Sequence, residues 1–472
     1  MAAVSALRQR LSGTSPREVA TGAGDALRAF AGTPYAWILV AYVLIRLSGF
    51  YGVQQVSYQD TDGYLEVTGH PVWSLDFLAG GRPWTVPLLW KVLPDADVWR
   101  ARGHFGLSLV CWPVLAWAVA RCLRPGLLRY LGFGAVLVFS MSFPIIRWDD
   151  VMLSESLALS LTALVVASWL ELVRVPRPAM VVAVLTATLF WVFARDSNGI
   201  IALCLVPVAA FWAWRPGALG RPWALGLAGG LLAIFLASFL ATTTDPAQLR
   251  RNQRPILHVI GRRVLVTPDE ERFFRAHGMP APPPLVRAQR KSLAGIAEGG
   301  LPSNPATDRF IEWSREHGRS VLAQYLLRHP LLTFKQTFRN RQRLLAGVTV
   351  GYTAPNARRL LPQPIDNIAY PRGSQDVWFW LVVVCVGALA VWRRLGARRF
   401  WLVPAVALLL QLPHAIVVYQ ADTLEIPRHA VLVAVMTRLS ILLLALFVID
   451  AISNRRLGSS GQMYDGRNEG VA

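Results

Sequence analysis

Four short segments of this sequence place acids, arginines and a histidine beside long apolar runs. These segments are SYQDTDGYLEV with Asp60 and Asp62, RWDDVMLSES with Asp149, Asp150 and Glu155, FARDSN with Arg195, and YQADTLEIPRH with Glu425, Arg428 and His429. Charge next to hydrocarbon is costly, so an ionisable residue in such a place is a functional hypothesis by default. We therefore predict one polar site, built at a membrane surface from all four segments.

The Asp-x-Asp pattern at Asp60 and Asp62 is compatible with two kinds of chemistry. The pair could hold a divalent cation, although nothing in the sequence requires a cofactor. Alternatively, one carboxylate could act as a general base, because desolvation near an apolar boundary raises the pKa of an acid. The structural alternative is that these acids cap a helix or a turn.

The segment RWDDVMLSES joins two apolar runs and carries three acids with different surroundings. Asp149 or Asp150 could cap the helix that follows, because an acid there complements the helix dipole. Glu155 falls inside the apolar boundary and needs a partner. By topology, Arg195 and Arg428 are the nearest candidates.

Arg195 and Arg428 each stand at the end of an apolar run. An arginine in such a place can bind a phosphate with two parallel hydrogen bonds. The alternative is a local ion pair with Asp196 or Glu425. His429 could shuttle a proton or bind phosphate, or it could simply be hydrogen-bonded.

The composition indicates the elements that carry these segments. The chain is 54% hydrophobic and 16% charged, whereas a soluble protein is about 25% charged. Ten runs are long enough to cross a bilayer, although the fifth and the eighth are short. They cover 33–50, 104–121, 127–146, 151–170, 178–194, 198–214, 223–242, 377–392, 400–419 and 429–450. We predict an all-α polytopic membrane protein with about ten transmembrane helices.

The arginines predict how these helices are oriented. The net charge is +20, and arginines concentrate in alternate short loops such as RCLRPGLLRY and WRRLGARR. The positive-inside rule then places both termini in the cytoplasm and the four acidic segments outside the cytoplasmic membrane. A strongly basic chain often binds nucleic acid. Here topology accounts for most of the arginines, and no nucleic-acid partner is predicted.

The order of polar and apolar stretches predicts the domain organisation. It comprises a flexible cytoplasmic N-terminus (1–30), helices one to seven (31–242) with a first external loop (51–103), an external region (243–376), helices eight to ten (377–450) and a flexible cytoplasmic tail (451–472). The first loop is rich in tryptophan, and we expect interfacial helices at 63–78 and 84–93. Region 243–376 should form a small, partly helical cap. Its segment SVLAQYLLRHPLLTFKQTFRNRQRLLAG predicts a helix on the outer membrane surface, with Pro330 inside it.

In the order of these motifs, the chain resembles the GT-C class of integral-membrane glycosyltransferases. It is most similar to the bacterial dolichyl-phosphate-mannose mannosyltransferase-like and aminoarabinose transferase-like enzymes. The matching positions are Asp60, Thr61 and Tyr64, the segment GRPWTVPLL at 81–89 with Arg82, DDVMLSES at 149–156, FARDSN, and Glu425 to His429. The resemblance covers roughly 33–242 and 377–450, and region 243–376 departs from it.

The resemblance implies an inverting transfer of a sugar from a polyprenyl-phosphate donor to an acceptor hydroxyl. The acceptor would be a glycan, lipid or protein at the outer face of the cytoplasmic membrane, in cell-envelope assembly, with membrane lipids around the enzyme. Asp60 would be the general base, while Arg428, Arg195 and His429 would hold the phosphate. The catalytic candidates are Asp60, Asp62, Asp150 and Glu155, and the candidates for binding phosphate or substrate are Arg195, Arg428, His429, Glu425, Asp149, Tyr64 and Arg82.

Two other functions compete with this interpretation. A transporter or flippase for a lipid-linked or anionic solute would carry ionisable residues at mid-membrane depth and interrupted helices. The centres of the apolar runs in this chain are instead nearly free of charge. A non-catalytic partner in envelope assembly, with region 243–376 as a binding platform, would keep its function after loss of the acids.

Overall fold

The computed structural model of this chain is almost entirely helical. It describes residues 31–214, 219–244, 246–282, 285, 305–346, 352–396, 399–421 and 423–461. These residues contain no strand, and the structure is 79% helical. The predicted all-α fold class is therefore confirmed. The predicted flexible N-terminus, 1–30, lies outside the described residues.

Eleven helices, which we number in chain order, cover the described part of 31–244. They are α1 (Pro34–Phe50), α2 (Gln59–Gly69), α3 (Leu75–Leu78), α4 (Thr85–Lys91), α5 (Asp97–Cys122), α6 (Leu127–Ser140), α7 (Phe143–Ile146), α8 (Ser154–Arg174), α9 (Pro178–Val192), α10 (Gly199–Trp214) and α11 (Arg221–Thr244). A 3-10 turn at Asp196–Asn198 precedes α10. Pro34 and Pro178 open α1 and α9, where the missing N–H costs nothing.

The described helices of the second half begin with a polar series, which the long apolar helices follow. They are α12 (Pro246–Arg262), α13 (Pro268–Ala276), α14 (Pro305–Glu316), α15 (Gly318–Arg328), α16 (Pro330–Arg339), α17 (Arg341–Leu344), α18 (Gln363–Ala369), α19 (Ser374–Ala390), α20 (Trp392–Gly396), α21 (Leu402–Leu409), α22 (Gln411–Ala421), α23 (Ile426–His429) and α24 (Val431–Gly461). Two 3-10 turns complete the set, at Val264–Val266 and Arg399–Trp401.

Several of these helices are long and apolar enough to cross a membrane, as expected of a multi-pass membrane protein. Six stretches qualify within the described part: Asp97–Cys122, Ser154–Arg174, Asp196–Trp214, Arg221–Thr243, Arg399–Ala421 and Val431–Ser453. Helices α18 and α19, which meet at 56°, form a seventh if counted together. Helices α1, α6 and α9 are apolar but shorter. The count of ten spans therefore stays a prediction, as does the orientation of the termini.

Proline explains two differences from the predicted elements. The run 127–146 was expected to be one helix, but α6 ends at Ser140 and α7 starts at Phe143. Pro144 has no N–H to donate to the carbonyl of residue 140. The predicted helix 63–78 is likewise divided into α2 and α3, because Pro71 favours extended backbone at His70, which has φ −83° and ψ 150°. The predicted helix 84–93 is α4.

The described part of region 243–376 is largely helical and has its own apolar core. That core includes Leu257, Ile260, Phe274, Phe310 and Tyr325, separate from the main core of the apolar helices. The helix expected across Pro330 is in fact two, α15 and α16, since Pro330 opens a new helix after His329. Whether the region caps the outer face stays a prediction.

The last helix continues into the predicted tail. Of the tail 451–472, residues 451–461 belong to α24, and the flexibility of the tail stays a prediction. The backbone of this stretch extends a helix whose membrane part is already formed, so each added residue needs no new nucleation. Residues 462–472 lie outside the described part.

Candidate functional site

Three arginines and three carboxylates meet at one end of the helical bundle. The members are Asp60, Arg82, Glu155, Arg195, Glu425 and Arg428, with His429 and Tyr352 at the edge. We call this group the Arg428 cluster. It brings together residues from all four segments that the sequence singled out, with Tyr352 from region 243–376.

Backbone contacts hold the first loop against the start of α8. Val56 and Val151 form an isolated parallel bridge, in which the Val56 N–H donates to the Asp150 carbonyl at 3.0 Å. The Thr61 hydroxyl, on the first turn of α2, donates to the Met152 carbonyl at 3.1 Å. These bonds set α2 beside α8, so that Asp60 and Glu155 reach the same guanidinium.

Arg428 is the centre of the cluster and uses all its nitrogens. Its Nε donates to Glu155 Oε1 at 2.8 Å, and Nη2 donates to Asp60 Oδ2 at 2.6 Å. Its Nη1 donates to Glu425 Oε2 at 2.9 Å and to the Tyr352 hydroxyl at 3.2 Å. Arg428 therefore makes the local pair with Glu425, which the sequence left open, together with three contacts that only the fold provides.

The backbone of Glu425 is an outlier in this site. Its φ of +46° lies in the left-handed region, where it is the only non-glycine residue of the described part. Such a conformation costs an amount of order 1–3 kcal/mol and persists only when the surroundings hold it. The Arg428 guanidinium and the Tyr352 hydroxyl both bond to the Glu425 carboxylate and hold the turn that opens α23.

Glu155 is buried, and it links the two arginines that the topology suggested. Arg428 bonds to its Oε1, and Nη1 of Arg195 lies 3.2 Å from the same oxygen. The pairing predicted for Glu155 is therefore confirmed. The Arg195 nitrogen is not aligned for a hydrogen bond with any described residue, while its Nη2 lies 3.1 Å from Nδ1 of His429. Arg195 thus keeps one donor for another group.

Asp60 does not have the raised pKa that was expected of a general base. Burial would raise the pKa of this carboxyl, but the guanidiniums of Arg82 and Arg428 hold it well below its usual range. Nη2 of Arg82 donates to Asp60 Oδ1 at 2.6 Å. The expectation was wrong because two ion pairs outweigh desolvation. Asp60 is an ionised, weakly basic carboxylate in this state.

Arg82 reaches Asp60 by lying across α2. Its guanidinium carbon stands 5.1 Å from the ring centre of buried Tyr64, an arrangement that favours a cation over an aromatic face. A methyl group at Gly63 would come within 2.8 Å of the Arg82 Nε. Arg82 and Tyr64, named from the sequence, thus position Asp60, and Gly63 leaves the room they need.

Asp62 does not join the cluster. It is exposed, and it lies two residues after Asp60 on α2, so the two side chains point to nearly opposite faces of the helix. The described residues contain no group of three or more His, Cys, Asp or Glu side chains placed to hold a metal. Both oxygens of Asp60 are bonded to arginines, so the Asp-x-Asp pair does not fit a shared cation here.

Asp149 and Asp150 form a second, separate group with Arg46, which we call the Arg46 cluster. Nη2 of Arg46, in the interior of α1, donates to Asp149 Oδ2 at 2.7 Å and to the Ser108 hydroxyl at 2.8 Å. Neither acid caps α8, whose N-cap residue is Leu153. The capping expectation is corrected because the backbone turns and pairs with Val56 before the helix starts.

The Arg46 cluster has two acids and one guanidinium, and we call Asp150 its surplus acid. It is buried, and its Oδ1 makes no hydrogen bond with any described residue. Burial and the neighbouring Asp149 raise the pKa of Asp150 to about 8, against the opposing charge of Arg46. It lines a small cavity shared with Arg46, Arg147 and Arg358.

A larger cavity lies between the apolar helices, on the side of the turn that follows Arg195. It holds about 230 Å³ and has an almost wholly apolar lining that includes Val166, Trp191, Leu205 and Val406. His414 is one of its few polar lining residues. The His414 Nε2 lies 3.3 Å from the Ser197 hydroxyl, in the turn that follows Arg195.

Sequence reasoning missed two residues of these clusters. Arg46 interrupts the first apolar run, and a charge inside such a run was a signal that could have revealed it. Tyr352 gave no signal, because it lies in region 243–376 without any motif around it. Comparison of the chain with known protein families, curated proteins and solved structures found no match.

Proposed function

We propose that this protein is an inverting glycosyltransferase that moves a sugar from a polyprenyl phosphate to an acceptor hydroxyl at the outer face of the cytoplasmic membrane. One observation carries the proposal: an apolar cavity of about 230 Å³ between the helices is lined by His414, which lies 3.3 Å from the hydroxyl of Ser197, two residues after Arg195. An isoprenoid chain needs an apolar channel, and its phosphate needs cations at the end of that channel.

Arg195 is the best-placed phosphate ligand of the cluster. It stands nearest the cavity through Ser197 and His414, and its Nη1 lacks a hydrogen bond with the described residues. Arg428, by contrast, is fully engaged. A phosphate could bond to Arg428 only by displacing a carboxylate, whereas Nη1 of Arg195 still has a donor to offer. Nδ1 of His429 lies 3.1 Å from Nη2 of Arg195, so the other ring nitrogen, Nε2, would be a second donor.

The guanidiniums of the cluster suit a reaction in which negative charge moves onto a leaving group. Three carboxylates face three guanidiniums. In the transfer, the acceptor oxygen attacks the anomeric carbon and the bond from that carbon to the phosphate oxygen breaks. The leaving phosphate keeps the electron pair, and the guanidiniums stabilise its charge.

Asp60 remains the proposed acceptor of the hydroxyl proton, in a role adapted to its low pKa. A weakly basic carboxylate takes a proton only late in the reaction, after the new bond has made the attacking hydroxyl acidic. The proton can then pass to the released phosphate, which restores the ion pairs of Asp60 with Arg82 and Arg428. Glu155 keeps both guanidiniums in place throughout.

Binding of undecaprenyl phosphate to the purified protein in nanodiscs tests the proposal. We expect the wild type to bind the phosphate more tightly than undecaprenol, which has the same chain without the charge. Arg195→Ala should lose most of this preference, and Arg195→Lys should keep part of it, because lysine retains the charge but not the two-pronged donor. Val166→Trp, which fills the cavity, should weaken the binding of both lipids.

A matched control separates this result from general damage. Leu225→Trp adds the same ring on an exposed position of α11 and should leave binding unchanged. If the wild type binds the alcohol and the phosphate equally well, or if Arg195→Ala keeps the preference, the proposed phosphate site is wrong. The reaction itself is tested by release of polyprenyl phosphate from a polyprenyl-phosphate sugar, which Asp60→Asn should slow by about 100-fold.

A further inference from the structure

Helix α16 has its apolar side turned outward and its polar side turned inward. Leu331, Phe334 and Phe338 are 84%, 43% and 43% exposed, and their spacing of three and four residues places them on one face. Thr333 and Thr337 on the opposite face are buried. A helix on the surface of a water-soluble domain would show the reverse arrangement.

The inward side of α16 is held by polar contacts. The Gln336 amide donates to Glu270 Oε1 of α13 at 3.1 Å. At the end of the helix, the Asn340 amide donates to the Tyr419 hydroxyl of α22 at 2.7 Å. These bonds to two different helices fix the rotation of α16 about its axis, so the outward direction of the apolar side is built into the fold.

The apolar side of α16 continues into the exposed surface of a membrane helix. The rings of Phe338 and Trp378 lie 5.8 Å apart, and Trp378 stands in the first turns of α19. Phe379 and Trp380 follow it and are exposed. Aromatic residues at the end of an apolar helix mark the level of the membrane interface. Helix α16 therefore lies at that level.

The charged residues of the segment that carries this face have one sign. The stretch from Leu327 to Leu344 holds five basic residues and no acid. Lys335 and Arg339 are exposed on α16 itself, beside the apolar stripe. Long basic side chains can keep their stems in the apolar layer while the charge reaches the lipid headgroups.

We propose that the outward face of α16 is embedded in the interfacial layer of the bilayer and that Lys335 and Arg339 bind the headgroups of anionic phospholipids. The exposed aromatic and aliphatic side chains enter the boundary between headgroups and acyl chains, as in other interfacial amphipathic helices. The helix then ties region 243–376 to the membrane surface beside α19. This inference does not depend on the glycosyltransferase reaction.

Spin labels on the full-length protein in nanodiscs test the depth of this face. Leu331→Cys and Phe334→Cys are labelled in a background where Cys204 and Cys385 are replaced by serine. We expect both labels to collide more often with oxygen than with a water-soluble nickel chelate. A control label at Glu312→Cys, exposed on α14, should show the opposite ratio.

Two outcomes of that experiment would overturn the proposal. Labels at 331 and 334 that favour the nickel chelate as strongly as the control would show that the face is in water. Labels protected from both reagents, with dipolar broadening between chains, would show that a second copy of the protein covers the face instead of lipid.

The headgroup contact is tested by the charge of the lipid. Nanodiscs of phosphatidylcholine are compared with nanodiscs that also contain phosphatidylglycerol, and phosphatidylglycerol that remains bound is measured by native mass spectrometry. The double variant Lys335→Gln/Arg339→Gln should retain several-fold less of this lipid than the wild type, because each basic residue near an anionic surface adds attraction. Arg309→Gln/Arg315→Gln, at exposed positions of α14, removes the same charge elsewhere. If both double variants retain equal amounts of phosphatidylglycerol, the proposed contact of Lys335 and Arg339 with the headgroups is wrong.

Discussion

The Arg428 cluster and the Arg46 cluster use the same residue types in the same end of the molecule, yet they hold their acids in different states. In the Arg428 cluster three carboxylates share three guanidiniums, and the pKa of Asp60 is held below its usual range. In the Arg46 cluster two acids share one guanidinium, and the pKa values of Asp149 and Asp150 rise to about 6 and about 8. The number of cationic partners, rather than burial alone, decides the protonation of these acids.

The comparison also shows how few residues separate the two clusters. Asp150 and Glu155 belong to one short segment, but they contribute to different groups. The chain pairs with Val56 at Val151 and only then enters α8 at Ser154. Glu155, in the first turn, therefore points to Arg428, while Asp149 points back to Arg46 on α1.

The strongest test of the balanced cluster is Glu155→Gln. This change leaves Arg195 and Arg428 facing each other without their shared, buried carboxylate. Removing one partner of a buried ion pair typically costs about 3–5 kcal/mol, and we expect a loss near the lower value because glutamine keeps a carbonyl acceptor. Denaturant unfolding in detergent measures the change. Asp62→Asn, at an exposed acid, should shift stability by less than about 0.5 kcal/mol.

In the Arg46 cluster the corresponding change, Arg46→Met, should cost less. The carboxyl of Asp149 is left without its cation, but it can bind a proton, which limits the loss to about 2 kcal/mol at neutral pH. The loss should shrink at acidic pH, where the proton is supplied freely. If Arg46→Met destabilises as much as Glu155→Gln at every pH, the two clusters do not differ as we describe. The double variant Arg46→Met/Asp149→Leu should recover part of the stability.

The surplus acid predicts a pH dependence of its own. The folded-state pKa of Asp150 is raised to about 8, so the folded protein binds this proton more tightly than the unfolded chain does. Stability from this residue is therefore present below about pH 4 and is lost as the pH rises towards 8. Asp150→Asn should remove that loss, with a gain of about 1–3 kcal/mol at pH 8, the cost of an unsatisfied buried group.

Thermal unfolding at several pH values checks this prediction. The curves of the wild type and Asp150→Asn should converge near pH 4 and separate near pH 8. Asp60→Asn should instead be less stable than the wild type at neutral pH, and the difference should shrink on acidification. A lowered folded-state pKa gives stability that is present at neutral pH and lost as the pH falls. Parallel curves for the wild type and Asp150→Asn would contradict the assignment of Asp150 as the surplus acid.

The smallest effect concerns the room that α2 leaves for Arg82. Alanine is favoured over glycine in a helix by up to about 1 kcal/mol. The methyl group of Gly69→Ala meets nothing within 4 Å. This variant should therefore raise the free energy of unfolding by a few tenths of that amount, because Gly69 is the last residue of α2. Gly63→Ala brings a methyl group within 2.8 Å of the Arg82 Nε. This variant should therefore show no rise in the free energy of unfolding. The difference between the two unfolding free energies measures the displacement of Arg82 from Asp60.

The sequence by itself determined the class of the fold and most residues of the site, with Arg46 and Tyr352 as the exceptions. Apolar runs imply helices that bury their own backbone hydrogen bonds, so the all-α class follows from composition and run length. The cost of charge beside hydrocarbon likewise singled out Asp60, Glu155, Arg195 and Arg428, and the side on which their segments lie predicted that Glu155 would meet the two arginines.

Only the tertiary structure decided which acids share which cations. A pKa depends on distances of a few ångströms between residues far apart in the chain. Asp60 is separated from Arg428 by 368 positions, and Arg46 from Asp149 by 103. No local pattern encodes such pairings. They arise because helices cross at fixed angles, and this geometry gave Asp60 two guanidiniums and left Asp150 with none of its own.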